Sequence, residues 1–424
     1  MKYIALTIGP IYKTLQNAKK PKELFASSYV FSYIMREIIK AFKDREFITP
    51  YIKNSNIFKD NDIGLFHDRF IFQSKENDIY KLKSIIADVL KNIANELNIE
   101  IEAIENYLQI NYDEYELNDN ANPILEITPY LDTLELFYQT TQDNSFANAL
   151  RRKKGDSDNF LTEGKNIVDD LKKLCYNNYF CVVHADGDNM GKAISKKENI
   201  ENVSKLLFEY CNFSHQKIKD FGGQTIFAGG DDLLFFAPVV SKKTNKTIFQ
   251  LCEEIGVDFK EKFKGEATLS FGISVNYVKF PLYEALENSR ELLFSKAKND
   301  KRNNIAFKVT KHSGQSFEAV VHKGNDEVYT KFLEFVSSIT NEAQDKNFLH
   351  SIHHKIDSYK KVLENIKSNK KKLENFFDNY FNEYGHNDYK PFFTTLVDFI
   401  YTSEDLDLVY STLRFIKFVK GDKE

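Results

Sequence analysis

Three aspartates stand out by the company they keep. Asp186 closes the apolar run NYFCVVHADGD (178–188), and Asp231 and Asp232 follow Gly229 and Gly230 in FAGGDDLLFFAP (227–238). A tight hairpin needs a glycine and at most one acidic residue. A second carboxylate beside the first adds only repulsion unless a cation joins the group. Hard carboxylate oxygens suit Mg²⁺ or Mn²⁺, which take a few carboxylates and fill the rest of their shell with substrate phosphates. Two such ions, about 3.5–4 Å apart, can activate an attacking hydroxyl and steady a leaving pyrophosphate. Twin glycines let a triphosphate approach the backbone with no Cβ in the way.

This chemistry needs elements that bring 186 to 231 and 232. The central segment reads as a strand over 178–188, a helix over about 200–220, a hairpin from QTIFAGG and DDLLFFAP, and a helix over about 246–263. A strand over 267–277, a helix over 281–299 and a closing strand over 304–312 follow. Strand, helix, hairpin, helix, strand is the ferredoxin-like split βαβ order, in which the first strand lies beside the hairpin. The end of the first strand then sits next to the hairpin tip, so Asp186, Asp231 and Asp232 converge as metal ligands. Asp188 either holds the turn or joins the cluster. Lys298 and Arg302, at the end of the last helix and just beyond it, are placed to reach polyphosphate oxygens. Lys192 lacks the full GxxxxGK[ST] pattern, so a Walker loop is rejected. His67-Asp68 lacks the partner histidines of a metal phosphohydrolase and is read as an ordinary dipeptide. His184, on the buried strand, is read as a packing or hydrogen-bonded histidine.

Towards the N-terminus, YIALTIGP reads as a strand and turn, 26–42 as a helix, 64–74 as a strand and 77–97 as a helix. The fold class is α+β: two ferredoxin-like domains, the first over 1–100 and the second over 178–320. A mostly helical region over 101–177 separates them, and a Lys-rich helical domain over 321–424 closes the chain. The run RRKKGDSDNFLTEG (151–164) is the best candidate for a mobile loop. The chain has 424 residues, 42% hydrophobic and 28% charged, with a net charge of −4, so no global basic field marks a nucleic-acid binder. The cysteines form no CxxC pair, and no run of about 18 apolar residues marks a membrane span. A cytoplasmic protein with reduced thiols is expected.

The motifs HADGDNMG (184–191), AGGDD (228–232), ATLSFGISV and PLYEALENSRELLFSKAKNDKRN resemble the polymerase-like palm of the large subunit of type III CRISPR effector complexes. Within that family they resemble the Cmr subtype. IGPIYKTLQNAKKPKELFASSYVFSYI (8–34) and LFHDRF (65–70) resemble that subunit's first, degenerate palm, and HSGQSFEAV (312–320) the way out of the second.

The resemblance implies an antiviral nucleotidyltransferase. Target RNA switches it on, and two ATP molecules held between the palms are joined, with loss of pyrophosphate, into cyclic oligoadenylate messengers. Asp186 and Asp231 would bind metal, and Asp232 would bind metal or help activate the hydroxyl. Gly187, Gly229, Gly230, Lys298 and Arg302 would contact nucleotide, while Ser27 and Ser28 would border the second ATP. Implied partners are the other complex subunits, guide RNA and target RNA, with no membrane. Met1 directly precedes the first palm, so no HD nuclease domain is expected. Residues 100–175 hold only Cys175, so no zinc is expected. The alternatives are ATP joined to another small molecule, a diguanylate-cyclase-like enzyme, and a silent scaffold. Leu233 after Asp232 disfavours the cyclase, and the intact acids disfavour the scaffold.

Overall fold

In the computed structural model the strand-forming runs assemble into two sheets. All residues are described except 17, 59–62, 137–142, 154–159, 162–165, 196–198, 300, 338–345, 382–389 and 422–424. The first sheet comprises β1 (Lys2–Gly9), β2 (Phe47–Thr49), β3 (Arg69–Gln73) and β4 (Gln109–Glu116), in the order β2-β3-β1-β4. The second comprises β5 (Tyr179–Asp188), β6 (Gln224–Gly229), β7 (Asp232–Pro238), β8 (Thr268–Tyr277), β9 (Asn304–Thr310) and β10 (Ser316–His322). Its order is β10-β9-β8-β5-β7-β6.

The four strands β6-β7-β5-β8 repeat the antiparallel order of the whole first sheet, and both are ferredoxin-like. The expected α+β class with two such domains is therefore the observed one. β9 extends the second sheet parallel to β8, and β10 closes it antiparallel to β9.

One strand lies where a mostly helical region is expected. β4 pairs along the whole of β1, with Thr7 opposite Asn111. Its sequence, QINYDEYE, hides it: acids and amides on an edge strand blunt the propensity signal while protecting the open edge. The helix Pro123–Glu135 then covers this sheet, with Ile127 and Leu131 packed on Tyr3, Ala5 and Ile71. The first sheet with its cover thus runs well past residue 100. The loop expected over 151–164 lies largely outside the described residues.

The second sheet is covered on both faces, which is why β5 reads as an almost unbroken apolar run rather than an alternating one. The helix Ile200–Phe221 ends where Gly222 turns into the left-handed region (φ 95°) and Gly223 N–H returns to Ile218 O at 2.8 Å. The helix Ile248–Lys262 starts from a Thr247/Gln250 capping box. The C-terminal helices share the core of the second sheet. Phe332 and Phe415 lie 5.0 and 4.9 Å from Phe249, ring to ring, and Phe249 lies 5.1 Å from Phe307 on β9.

Candidate active site

The β6–β7 hairpin has a two-residue loop, Gly230-Asp231, between the paired Gly229 and Asp232. Gly230 has φ 64° and Asp231 has no positive φ, the pattern of a type II′ turn, whose twist matches the flanking strands. The second acid is therefore not a turn requirement. β5 runs alongside β7 with Ala185 opposite Leu233, which brings Asp186 level with the hairpin tip.

The contact is intimate. A Cβ on Gly187 would lie 2.5 Å from Asp231 Oδ2, so only glycine lets the Asp231 carboxylate rest against the end of β5. The Gly187 backbone N–H donates to that carboxylate. Lys298 reaches the same corner from above: it forms an ion pair with Asp186 and donates from Nζ to Gly187 O at 2.8 Å. It gets there because the helix Leu282–Glu291 continues as a π-helical turn, Leu292–Ala297, that delivers Lys298 over the sheet. Arg302 stands exposed in the loop beyond, close enough for its charge to act on Lys298.

The electrostatics are those of charged groups withdrawn from water. Burial raises the Asp231 pKa above the ordinary carboxylate range, backbone hydrogen bonds from its own N–H and from Gly187 oppose this, and the Asp188 charge adds to it. Solvent reaches Asp232 as a residue. Even so, the protein crowding its carboxylate, and then the charges of Asp231 and Asp68, push its pKa well above that range. Burial, and then Arg302, pull the Lys298 ammonium down to about 8 despite the carboxylate beside it.

Asp188 takes the structural one of the two roles open to it. It is fully buried, and its Oδ2 accepts from Ser270 Oγ (2.8 Å), Thr268 Oγ1 (3.0 Å) and the Asn303 backbone N–H (3.0 Å). Among the described residues its Oδ1 has no hydrogen-bond partner. His184 is a hydrogen-bonded core histidine: Nδ1 meets Ser289 Oγ at 2.7 Å, and burial, then Arg290, lower its pKa to about 4. Ser27 and Ser28 are buried in the helix Pro21–Ala41, which packs against β6 from the first domain.

Among the described residues no three His, Cys, Asp or Glu side chains converge as a closed metal cage. The donor set is nonetheless right for a hard divalent cation. Asp186 and Asp231 offer two carboxylates at one corner, Asp232 stands at the rim, and open positions remain for phosphate oxygens.

Sequence reasoning missed the other half of the site. Gly64 of the first domain bridges Phe227 in parallel, with Ala228 N–H donating to Gly64 O at 3.4 Å, so the 64–68 segment lies along β6. His67 then comes to 3.4 Å from a Cβ built on Gly229 and 4.0 Å from one on Gly230. Its Nδ1 accepts from Arg69 N–H (3.3 Å), which leaves the proton on Nε2 facing Thr49 Oγ1 (3.2 Å). Burial, then Arg69, lower its pKa to about 4. Asp68 follows, near enough to raise Asp232. No local signal marks these two residues, because only the docking of the two sheets gives them their place.

A pair of facing ferredoxin-like palms with a glycine-acid hairpin defines a palm-type protein of the nucleotide-polymerase and cyclase class. Sequence comparison narrows it. Residues 179–306 match the profile of the Cas10/Cmr2 second palm domain, and residues 3–106 match that of the CRISPR-associated protein Cmr2 N-terminal region. The chain is 26% identical over 266 residues to the CRISPR system Cmr subunit Cmr2 of Pyrococcus furiosus, a match covering 54% of this chain and 30% of that protein. The chain belongs to the Cas10/Cmr2 family, in its Cmr (type III-B) branch.

Solved structures share the fold. A chain of the apo type III-B Cmr-beta complex superposes with TM-score 0.58 at 9% identity, over 85% of this chain and 75% of that one. A chain of the Csm1-Csm4 cassette in complex with cA4 gives 0.55 at 12% identity, over 99% and 70%.

Proposed function

We propose that this chain is the nucleotidyltransferase subunit of a type III CRISPR antiviral complex, and that it converts ATP to cyclic oligoadenylates when target RNA binds. The observation that carries this reading is the corner where Asp231 rests on Gly187 beside Asp186, beneath Lys298. Three charged groups from three parts of the chain meet there, with the Asp231 carboxylate pushed up by burial. Membership of the Cas10/Cmr2 family and the fold shared with a cA4-bound relative support the same reading.

Bound divalent ions would supply charge neutralisation of the triphosphate and activation of the attacking 3′-hydroxyl. Asp186 and Asp231 would hold them, with Asp232 completing the set from the rim. The protein supplies the rest by positioning. The type II′ turn at Gly230 leaves the triphosphate room against the backbone. Lys298 binds Asp186 until a nucleotide arrives, then turns its ammonium to the phosphates, with Arg302 beside it. The first palm closes the far side, with Ser27 and Ser28 bordering the second ATP and His67 bracing the glycine turn. The other complex subunits, guide RNA and target RNA are the partners, in the cytoplasm. Among the described residues no helix is long and apolar enough to cross a membrane.

The test is product identification. The assembled complex is incubated with Mg²⁺ or Mn²⁺, ATP and matching target RNA, and products are read by mass spectrometry. A ladder of cyclic adenylates is expected, and Asp231→Ala with Asp232→Ala should abolish it while the complex still assembles. Cyclic di-guanylate from GTP, an adenylate joined to another molecule, or synthesis surviving in the double variant would overturn the assignment.

A further inference from the structure

Behind the catalytic face, where the C-terminal helices meet the second sheet, lies a cavity of about 190 Å³. Its lining includes Lys323, Asn303, Lys260, Glu253, Asp326 and Tyr329. Lys323 is the unusual member. It is 9% exposed, just past the end of β10, and among the described residues its ammonium makes no hydrogen bond or ion pair. Its one described contact is the face of Phe271, 4.8 Å from Nζ to ring centroid. A lysine this deeply buried, with an ammonium that meets no carboxylate and opens only on a cavity, is costly and rare.

The chain makes room for this charge. Gly256 sits in the middle of the helix Ile248–Lys262, where glycine costs about 1 kcal/mol relative to alanine. A Cβ there would stand 2.9 Å from Lys323 Nζ. The glycine therefore shapes a cradle for the ammonium at the cavity wall. Burial lowers the Lys323 pKa to about 8, with Glu253, Cys252 and Asp188 opposing and Lys260 assisting. Of the two acids in the lining, Glu253 already accepts from Tyr329 Oη at 2.7 Å. Asp326 begins the helix Asp326–Ser337, where backbone N–H groups favour it.

We propose that this cavity binds a small phosphate-class oxyanion, with Lys323 as its buried counter-charge and Lys260 as the cation at its mouth. The site is separate from the substrate corner but wired to it. Asn303 lines the cavity, and its backbone N–H is one of the three donors that pin Asp188 at the end of β5. Its C=O accepts from Lys323 N–H at 2.9 Å. An oxyanion held on Lys323 steadies Asn303, the neighbour of Arg302 and the donor to Asp188.

Calorimetric titration of the full chain decides this, with inorganic phosphate, pyrophosphate and acetate as separate probes. The protein carries Lys298→Ala to weaken phosphate binding at the substrate corner. Phosphate or pyrophosphate should bind, and both Lys323→Met and Gly256→Ala should weaken it at least tenfold. Lys323→Met removes a buried charge and should not lower the melting temperature. Tighter binding of pyrophosphate identifies the released product as the natural source, and tighter binding of phosphate identifies the free ion. Tungstate soaked into crystals should give anomalous density beside Lys323. No binding, binding indifferent to both substitutions, acetate binding as tightly as phosphate, or tungstate only near Arg302 would each overturn the proposal. None of these readings depends on nucleotide synthesis, so they stand apart from the fate of the proposed function.

Discussion

The two palms are built on one plan and differ at one corner. In the second, β7 opens with Asp232 after Asp231, and β5 passes alongside with Asp186. In the first, β3 opens with Arg69 after Asp68, and β1 passes alongside with Thr7 opposite Arg69. The first palm closes this corner with its own charges: Arg69 pairs with Asp132 at 2.7 Å and Glu135 at 2.6 Å, both on the helix that covers its sheet. In the second palm, among the described residues, Lys298 pairs with Asp186 and no cation pairs with Asp231 or Asp232. One topology thus yields a self-neutralised brace on one side and a charge-starved corner on the other. Because His67 and Asp68 face Gly229, Gly230 and Asp232, the two corners look at each other across the interface.

The comparison breaks most sharply at the acids. Asp186→Ala or Asp231→Ala should lower nucleotide synthesis by more than about 100-fold, because loss of even an outer partner of a metal site costs 10–100-fold. Mass-spectrometric product yield at saturating ATP measures it. Gly187→Ala should come next. The new Cβ would drive Asp231 off the end of β5, and overpacking of this kind costs about 1–3 kcal/mol. Synthesis should fall by about an order of magnitude or more and the melting temperature should drop together with it. A variant with normal yield would mean that Asp231 works from somewhere other than this contact.

Lys298 sharpens the contrast through pH. Its folded pKa of about 8 lies below the ordinary lysine value of 10.5. The folded protein therefore binds fewer protons than the unfolded chain between these values, and burial of the charge is a cost present below pH 8 and relieved as pH rises towards 10.5. Binding runs the other way, since only the ammonium attracts phosphate. The kcat/KM for ATP, which reports the free enzyme, should fall as pH rises through about 8. Lys298→Arg should remove that limb, because a guanidinium stays charged across the range. A fall unchanged in Lys298→Arg would assign the limb to another group.

How much of this was legible in the sequence follows from where the signals are local. β5, the hairpin and β8 announce themselves because buried strands are apolar runs and the turn between two of them needs glycine. The convergence of Asp186 with Asp231 followed from strand order alone. β4 was hidden because an edge strand rich in acids looks like a loop or helix. His67 and Asp68 were passed over because their role exists only when one sheet docks on the other. Asp188 remained open because a buried acid held by Ser270, Thr268 and Asn303 is indistinguishable in sequence from a ligand. Lys323 carries no signal in the sequence, since nothing local ties it to Gly256.

The smallest effects should come from the stability of the two corners, and they should have opposite signs. Arg69→Met breaks the brace of the first palm. Both partners of Arg69 keep solvent contact, so about 1 kcal/mol of stability should be lost, with little change in chemistry at the second palm. Asp232→Asn removes a carboxylate whose folded pKa lies well above its unfolded one, so its charge opposes folding at neutral pH. In the metal-free protein this variant should melt higher than wild type at pH 7. The gain should vanish as pH falls below the ordinary carboxylate range, where both proteins are neutral at that position. Melting curves across pH in the presence of a chelator read both variants side by side. A higher melting point for Asp232→Asn alongside weaker synthesis is what a corner kept unstable for the sake of its ligands requires. A lower melting point at pH 7 would mean that Asp232 already has its counter-charge, and the difference between the palms would then lie elsewhere.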